Sequence, residues 1–501
     1  MYMVFGRTVI FDMMLTLCMS VSVIAAYEAM EGDAGRGRLA GMIAFAAAGL
    51  GTITKGPVAL LVPLLVVVTW ALLRGRPGLL VRLRPLTGLA VFGVVVLPWV
   101  WLASVRNPGY LEYALVGENL QRMTSNKFDT ARPLAFYARF VIPAFFPWML
   151  YACGVALRRS WHYLRHRKAP GEPGRSVLAA LRAETDTRRL AAVFAGVWAA
   201  AVFMFFSLIT SKRPSYILPC SVPIALATGM LWARALAPRP GAAGGAGRVD
   251  GGGGADGACE VDEAGEVDAT SRAAARADLR TGATIAAVAA LALAALFALP
   301  LVPGAPVMRL TAGRYGTLLA RHALFGLTAG LLALAGILML ATRRLRRPWL
   351  AFGAGILAIT AMVPMARSVA RYVDAERSSR AVSRYLETRL ADQDRVICFE
   401  EYRPGLNFYL RRPIHHVTRW GRIFTSNYIE QNLDRFRGDP GFRRMPEDEM
   451  RRILRDGGRQ VYILAPRKQY DLLAEMAAVP LRQVYEDPYG GLFVPEPAAG
   501  D

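Results

Sequence analysis

Up to about residue 366 the chain alternates runs of about 16–25 apolar residues with short polar stretches. A helix rises about 1.5 Å per residue, so runs of this length match the ~30 Å of hydrocarbon in a bilayer. The pattern predicts ten membrane-spanning helices, at about 9–30, 39–54, 57–75, 86–104, 134–157, 190–210, 215–236, 281–302, 318–341 and 348–366. The first is too long for a signal peptide, lacks a basic flank and is followed by further spans, so it reads as a span. Beyond about 375 the pattern changes. SRAVSRYLETRLAD, NYIEQNLDRF, PEDEMRRILRDG and RKQYDLLAEMA have helical periodicity. RVICFEE, RQVYILAP, VPLRQVYED and GGLFVPEP read as strands. Helices alternating with strands predict a small α/β layer. No internal repeat is visible. The fold class is therefore a polytopic α-helical membrane protein with a small C-terminal α/β soluble domain.

Charge gives the spans a direction. The formal net charge is +22, and only 20% of residues are charged. A soluble chain carries nearer a quarter. Much of the excess sits in short loops, which argues against nucleic acid as a partner. RGRPGLLVRLRP holds Arg74, Arg76, Arg82 and Arg84 without an acid; Arg158, Arg159, Arg165, Arg167 and Lys168 follow Tyr151; TRRLRRP holds Arg343, Arg344, Arg346 and Arg347. With ten spans these three loops share one side, which the positive-inside rule makes cytoplasmic. Counting crossings then puts the Lys55 turn, the 105–133 loop, the 211–214 turn and the tail outside. Residues 237–280, rich in Gly, Ala and acid, cannot bury enough apolar surface to fold and read as a disordered cytoplasmic linker. The expected organisation is a front membrane half (1–236), that linker (237–280), a three-span rear half (281–366) and an extracytoplasmic α/β domain (367–501). The five cysteines form no CxxC, so neither a zinc site nor a disulfide framework is indicated. His415 and His416, adjacent on a strand, point to opposite faces, which argues against a shared metal.

Ionisable groups at membrane depth are costly and point to function. Asp12 lies just inside the outer end of the first span, with Arg7 five residues earlier. The two form an interfacial ion pair, or the carboxylate faces an external cavity. Lys55, in TITKGPVALL, stands on a sharp turn marked by Gly56 and Pro57; it either snorkels or offers its ammonium to a phosphate. In the 105–133 loop Glu112, Glu118, Asn119 and Arg122 fall near one another at helical spacing. A helix lying at the water interface accounts for them, and its arginine suits a phosphate fork. In SKRPSYILP, Lys212 and Arg213 sit outside against the positive-inside trend, beside Tyr216. That is scattered charge or a site for an anion. Asp12, Lys55, Arg122, Lys212 and Tyr216 map to one face of the membrane, where a cationic cavity with one carboxylate fits a phosphate-bearing amphiphile.

At GRTVIFDMMLTL, GLGTITKGPVALLVPLL, LPWVWLASVRNPGYLEYALVGENLQRM, FFPWMLY and FFSLITSKRPSYILPCSVPIALATG, over about residues 6–230, the sequence resembles the lipid-A aminoarabinose transferases. These are the bacterial branch of the dolichyl-phosphate-mannose protein mannosyltransferase-like superfamily. RPGLNFYLRRPI is similar to part of that family's tail domain. The resemblance implies a GT-C fold and an inverting glycosyltransferase. It further implies a sugar donor on undecaprenyl (polyprenyl) phosphate and an acceptor (lipid A, another glycan or a protein) at the outer face of the bacterial inner membrane. It places Asp12 on the acidic residue of the family's RxxxxDxxL stretch and Lys55 on the lysine of TKGP. Arg122, Lys212 and Tyr216 fall on positions near the lipid phosphate. Arg7, Glu118 and Arg213 are secondary candidates. No cofactor is implied with certainty, and a divalent metal lacks support. The family carries further spans and a first external loop ahead of the point matching residue 1, and that loop supplies the usual general base. An N-terminally shortened form is therefore expected, and a non-catalytic remnant is one alternative. A lipid-linked-sugar transporter or flippase is the other; paired repeats and helices broken at mid-membrane would mark it.

Overall fold

The computed structural model describes residues 11–107, 109–112, 114, 132–165, 177–236, 258–302, 322–345, 347–401, 403–418, 445–456, 460–487 and 489–496. Arg7, Glu118, Arg122, the first part of the expected linker (237–257) and the expected helix at 427–436 lie outside them. The chain divides into two compact units, Met1–Met365 and Ala366–Asp501.

In the first unit, only Gly32 and Asp33 separate α1 (Phe11–Glu31) from α2 (Ala34–Lys55). A two-residue connection forces the helices antiparallel. Gly56 then ends α2 at φ 100°, a conformation that L side chains rarely adopt, and its N–H returns to the Thr52 carbonyl at 2.8 Å. Pro57 opens α3 (Val58–Arg74). α4 is Pro85–Arg106, α7 Thr187–Leu208, α8 Ser221–Leu236, α9 Ala258–Ala298, α10 His322–Leu345 and α11 Pro348–Arg377, with α5 (Ala138–Ala144) and α6 (Trp148–Arg165) between α4 and α7. Among the described residues, eight helices are long and apolar enough to cross a membrane, and α3 is shorter. The protein is a multi-span membrane protein.

Two expectations are corrected. The span at 134–157 is not one helix: a 3₁₀ turn (Leu134–Tyr137) leads into α5, and the chain breaks before α6. Pro147 lacks an N–H and cannot continue a helical ladder. Of the stretch read as a disordered linker, residues 258–280 are helical, the front of a 41-residue α9. Alanine is the best helix former, and this segment is rich in it. Asp278, 1% exposed, also anchors it by accepting from Arg158 Nη1 at 2.7 Å and from Arg159 Nε and Nη2 at 3.1 Å.

Two apolar cores result. One joins α1, α3 and α7 around Met19, Val62, Trp70 and Trp198. Phe194 meets Tyr27 at 4.4 Å and Trp70 edge-on at 5.4 Å. The other gathers α6, α8, α9, α10 and α11 around Tyr151, Trp232 and a run of alanines. There α6 and α9 cross closely: a β-carbon on Gly154 would lie 2.5 Å from Gly282 Cα, and one on Gly282 2.7 Å from Tyr151 Cα. Small residues at such crossings let backbones approach and gain dispersion contacts, the main attraction between helices in lipid. The cores therefore do not follow the expected division at residue 236, since α6 and α8 pack with the rear helices. Two arginines of the 74–84 loop are bound rather than solvated. Arg74, 3% exposed, donates to the Leu181 and Glu184 carbonyls at 2.6 and 3.1 Å, and Arg82 donates to the Met30 carbonyl at 2.6 Å.

The second unit is a five-stranded mixed sheet in the order β2-β1-β3-β5-β4, with β1 Arg395–Phe399, β2 His415–Val417, β3 Val461–Pro466, β4 Leu481–Glu486 and β5 Gly490–Pro495. β1 runs parallel to β2 and β3; β5 runs antiparallel to β3 and β4. α12 (Arg380–Glu387) and α13 (Pro404–Leu410) cover one face, and α14 (Glu447–Asp456) and α15 (Tyr470–Ala477) the other. The strands read from the sequence are present, and the adjacent histidines split as expected, with His415 half-buried and His416 buried.

Candidate functional site

Antiparallel pairing of α1 and α2 decides where Asp12 and Lys55 go. Asp12 stands 19 residues before the end of α1 and Lys55 21 residues beyond the start of α2. At about 1.5 Å per residue both return to the same end, about 30 Å from the connection. There the Lys55 ammonium forms an ion pair with the Asp12 carboxylate across 43 residues of sequence. The side chains remain 26% and 14% exposed, so the pair is accessible from outside the core. Thr16 Oγ1 donates to the Asp12 carbonyl at 2.7 Å.

The third participant comes from the turn between α7 and α8. A 3₁₀ segment, Pro214–Cys220, packs against α1. It carries the half-buried Tyr216 ring to 4.8 Å from Lys55 Nζ, within cation–π range. The same ring also lies near Phe206, at 5.5 Å between centroids. Three separate stretches thus meet in an acid, an ammonium and a phenol.

Lys212 is held differently. It is 4% exposed, and its ammonium donates to the Ile209 carbonyl and, at 2.9 Å, to the Arg132 carbonyl. Burial pushes its pKa down. The Arg132 N–H returns to the Thr210 carbonyl at 3.2 Å. Lys212 therefore clasps the chain entering Leu134–Tyr137 to the end of α7. Arg213 is exposed, while its carbonyl accepts from the Tyr137 hydroxyl at 3.1 Å. Tyr137, 0% exposed, is a support that sequence reasoning missed. One tyrosine inside an apolar run carries no mark of its role, and only the packing brings it to the Arg213 carbonyl. Asp12 pairs with Lys55; its expected neighbour Arg7 lies outside the described residues, as do Arg122 and Glu118.

Fold and site together define a class: a polytopic α-helical membrane protein whose chain continues into a small α/β domain. The particular likeness is to ArnT. The crystal structure of ArnT from Cupriavidus metallidurans bound to undecaprenyl phosphate superposes with a TM-score of 0.60 at 22% identity, covering 97% of this chain and 74% of that one. The model for the dolichyl-phosphate-mannose-protein mannosyltransferase family matches residues 1–114. Undecaprenyl phosphate-alpha-4-amino-4-deoxy-L-arabinose arabinosyl transferase of Pseudomonas aeruginosa (strain UCBPP-PA14) is 31% identical over 219 residues, 44% of this chain and 35% of that protein. Enzyme 1 of the same name from Pseudomonas fluorescens (strain Pf0-1) is 30% identical over 232 residues, 46% of this chain and 36% of that protein. The matched regions thus span about a third of the length of these curated relatives.

Proposed function

We propose that the chain is a membrane glycosyltransferase. It moves a sugar of the 4-amino-4-deoxy-arabinose class from undecaprenyl phosphate to a lipid A or other glycan acceptor at the outer face of the bacterial inner membrane. The observation that carries this reading is the convergence of Asp12, Lys55 and Tyr216 at one end of the bundle. The names of the relatives supply the donor. The arginine-rich loops at 74–84, 158–168 and 343–347 support placing that end, and residues 367–501, outside the cytoplasm.

In this reading an ionised phosphate oxygen of the acceptor, which has no proton to lose, attacks the anomeric carbon as the bond from that carbon to the donor phosphate oxygen breaks on the opposite face, inverting the configuration. The leaving lipid phosphate gains charge. Lys55, its ammonium oriented by Asp12, stabilises that charge together with Arg122. Asp12 aims the ammonium and stays ionised. Tyr216 lends its ring to the ammonium, and Lys212 fixes the turn that carries it.

The test is turnover in proteoliposomes holding the full chain, radiolabelled undecaprenyl-phosphate sugar and lipid A. Expected is release of undecaprenyl phosphate matched mole for mole by labelled lipid A. Lys55→Met should lower the rate about 10²-fold or more, the scale of losing one preorganised charge stabiliser. Labelled donor that crosses the bilayer intact, with no lipid phosphate released, would show a transporter instead.

A further inference from the structure

A second polar feature lies at the end of the membrane unit where α9 enters the bundle, α10 ends and α11 begins. An open pocket with about 310 Å³ of empty space, part of it continuous with the surroundings, is lined there by Arg276, Leu279, Arg280, Thr342, Pro348 and Ala351. Arg276 and Arg280 stand one turn apart on α9, and Arg272 continues the row one turn earlier. Like charges at this spacing repel one another along a helix, so an anion beside the row relieves that repulsion. Arg276 Nε donates to the Ala235 carbonyl at 3.1 Å, which fixes the side chain at the cavity wall. The acid between them in sequence, Asp278, is already bound to Arg158 and Arg159. The third wall is the first turn of α11, a 30-residue helix whose N-terminus carries partial positive charge. None of the six lining residues is acidic. Beside Pro348, α11 presents Trp349, Phe352 and Ile356 as exposed apolar residues at helical spacing.

We propose that this cavity binds the headgroup phosphate of an anionic membrane phospholipid, whose acyl chains lie along the exposed apolar side of α11. Two guanidinium groups and a helix N-terminus supply the charge. The adjoining apolar stripe favours a lipid over a free anion. Basic pockets between membrane helices hold anionic headgroups by this chemistry. The site is separate from the Asp12–Lys55 pair and does not rest on the proposed transfer reaction.

The full chain, purified in detergent with equimolar phosphatidylglycerol, cardiolipin and phosphatidylethanolamine, would be measured by native mass spectrometry. Anionic lipids should be retained about tenfold over phosphatidylethanolamine, whose ammonium cancels its phosphate. Arg280→Gln, at an exposed side chain, should cut that preference about fivefold, and adding Arg276→Gln should abolish it. Equal retention of all three headgroups by the parent protein would overturn the proposal. So would an unchanged preference in Arg280→Gln, a variant that decides the matter even if the double variant does not fold. Inorganic phosphate at 10 mM should leave the bound lipid in place; displacement by phosphate alone would overturn the assignment to a lipid.

Discussion

Replacing Lys55 with Met would leave the Asp12 carboxylate, 14% exposed, without the cation that faces it. Two unit charges about 4 Å apart attract by about 1 kcal/mol in water and about 4 kcal/mol at the effective dielectric of a protein site. With side-chain exposures of 26% and 14% the pair falls between these limits. A coupling of about 2–3 kcal/mol is expected, a factor of at least about 30 in an unfolding constant. Asp12→Asn, Lys55→Met and the double variant form a cycle that isolates this quantity, since the double variant leaves no uncompensated charge. Unfolding of the detergent-solubilised chain, followed by tryptophan fluorescence against SDS mole fraction, gives the free energies. The double variant should be less destabilised than the sum of the single variants by the coupling. Raising salt from 0.15 to 1 M should change that coupling little, because a partly buried pair is weakly screened. Additivity within about 0.5 kcal/mol would mean that the two side chains do not meet, and the construction of the site from antiparallel α1 and α2 would be wrong.

Three further outcomes follow from the packing and the titratable groups. Gly154→Leu should separate α6 from α9, because its β-carbon would already lie 2.5 Å from Gly282; a loss of about 1–3 kcal/mol, typical of overpacking, is expected in the same unfolding assay. His416, 5% exposed, has its pKa pushed down by burial to about 4 from an ordinary 6.5. The folded domain holds it neutral while the unfolded chain protonates it, so stability is lost as pH falls from about 6.5 to 4, by at most about 3 kcal/mol. Proteolysis of the full chain at pH 7 and 4.5 should show the acid sensitivity of residues 367–501 shrinking in His416→Gln. Cys398, fully buried on β1 with its thiol pushed up to about 12, should resist maleimide at pH 8 until denaturant is added, as read by peptide mapping.

The rough limits of most membrane helices were legible because hydrocarbon thickness sets one length scale, and the chain writes it in apolar runs. The expected count of ten was not, since among the described residues eight helices are long and apolar enough to span and 134–157 is broken. The short continuous apolar runs in RVICFEE and RQVYILAP made β1 and β3 equally plain, since central strands buried on both faces read as unbroken apolar stretches. Residues 258–280 were misread because low hydrophobicity says nothing of a distant partner such as the Arg158–Arg159 pair that fixes the buried Asp278. Asp12 and Lys55 could each be singled out as costly at a membrane boundary, but sequence offered Arg7, five residues away, as the obvious partner of Asp12. The tertiary structure brings Lys55, 43 residues away, to Asp12, because a two-residue connection folds α1 and α2 back on each other. It also showed Lys212 clasping backbone carbonyls. A sequence records which groups are expensive to bury, while only the packing of distant segments decides which group meets that cost.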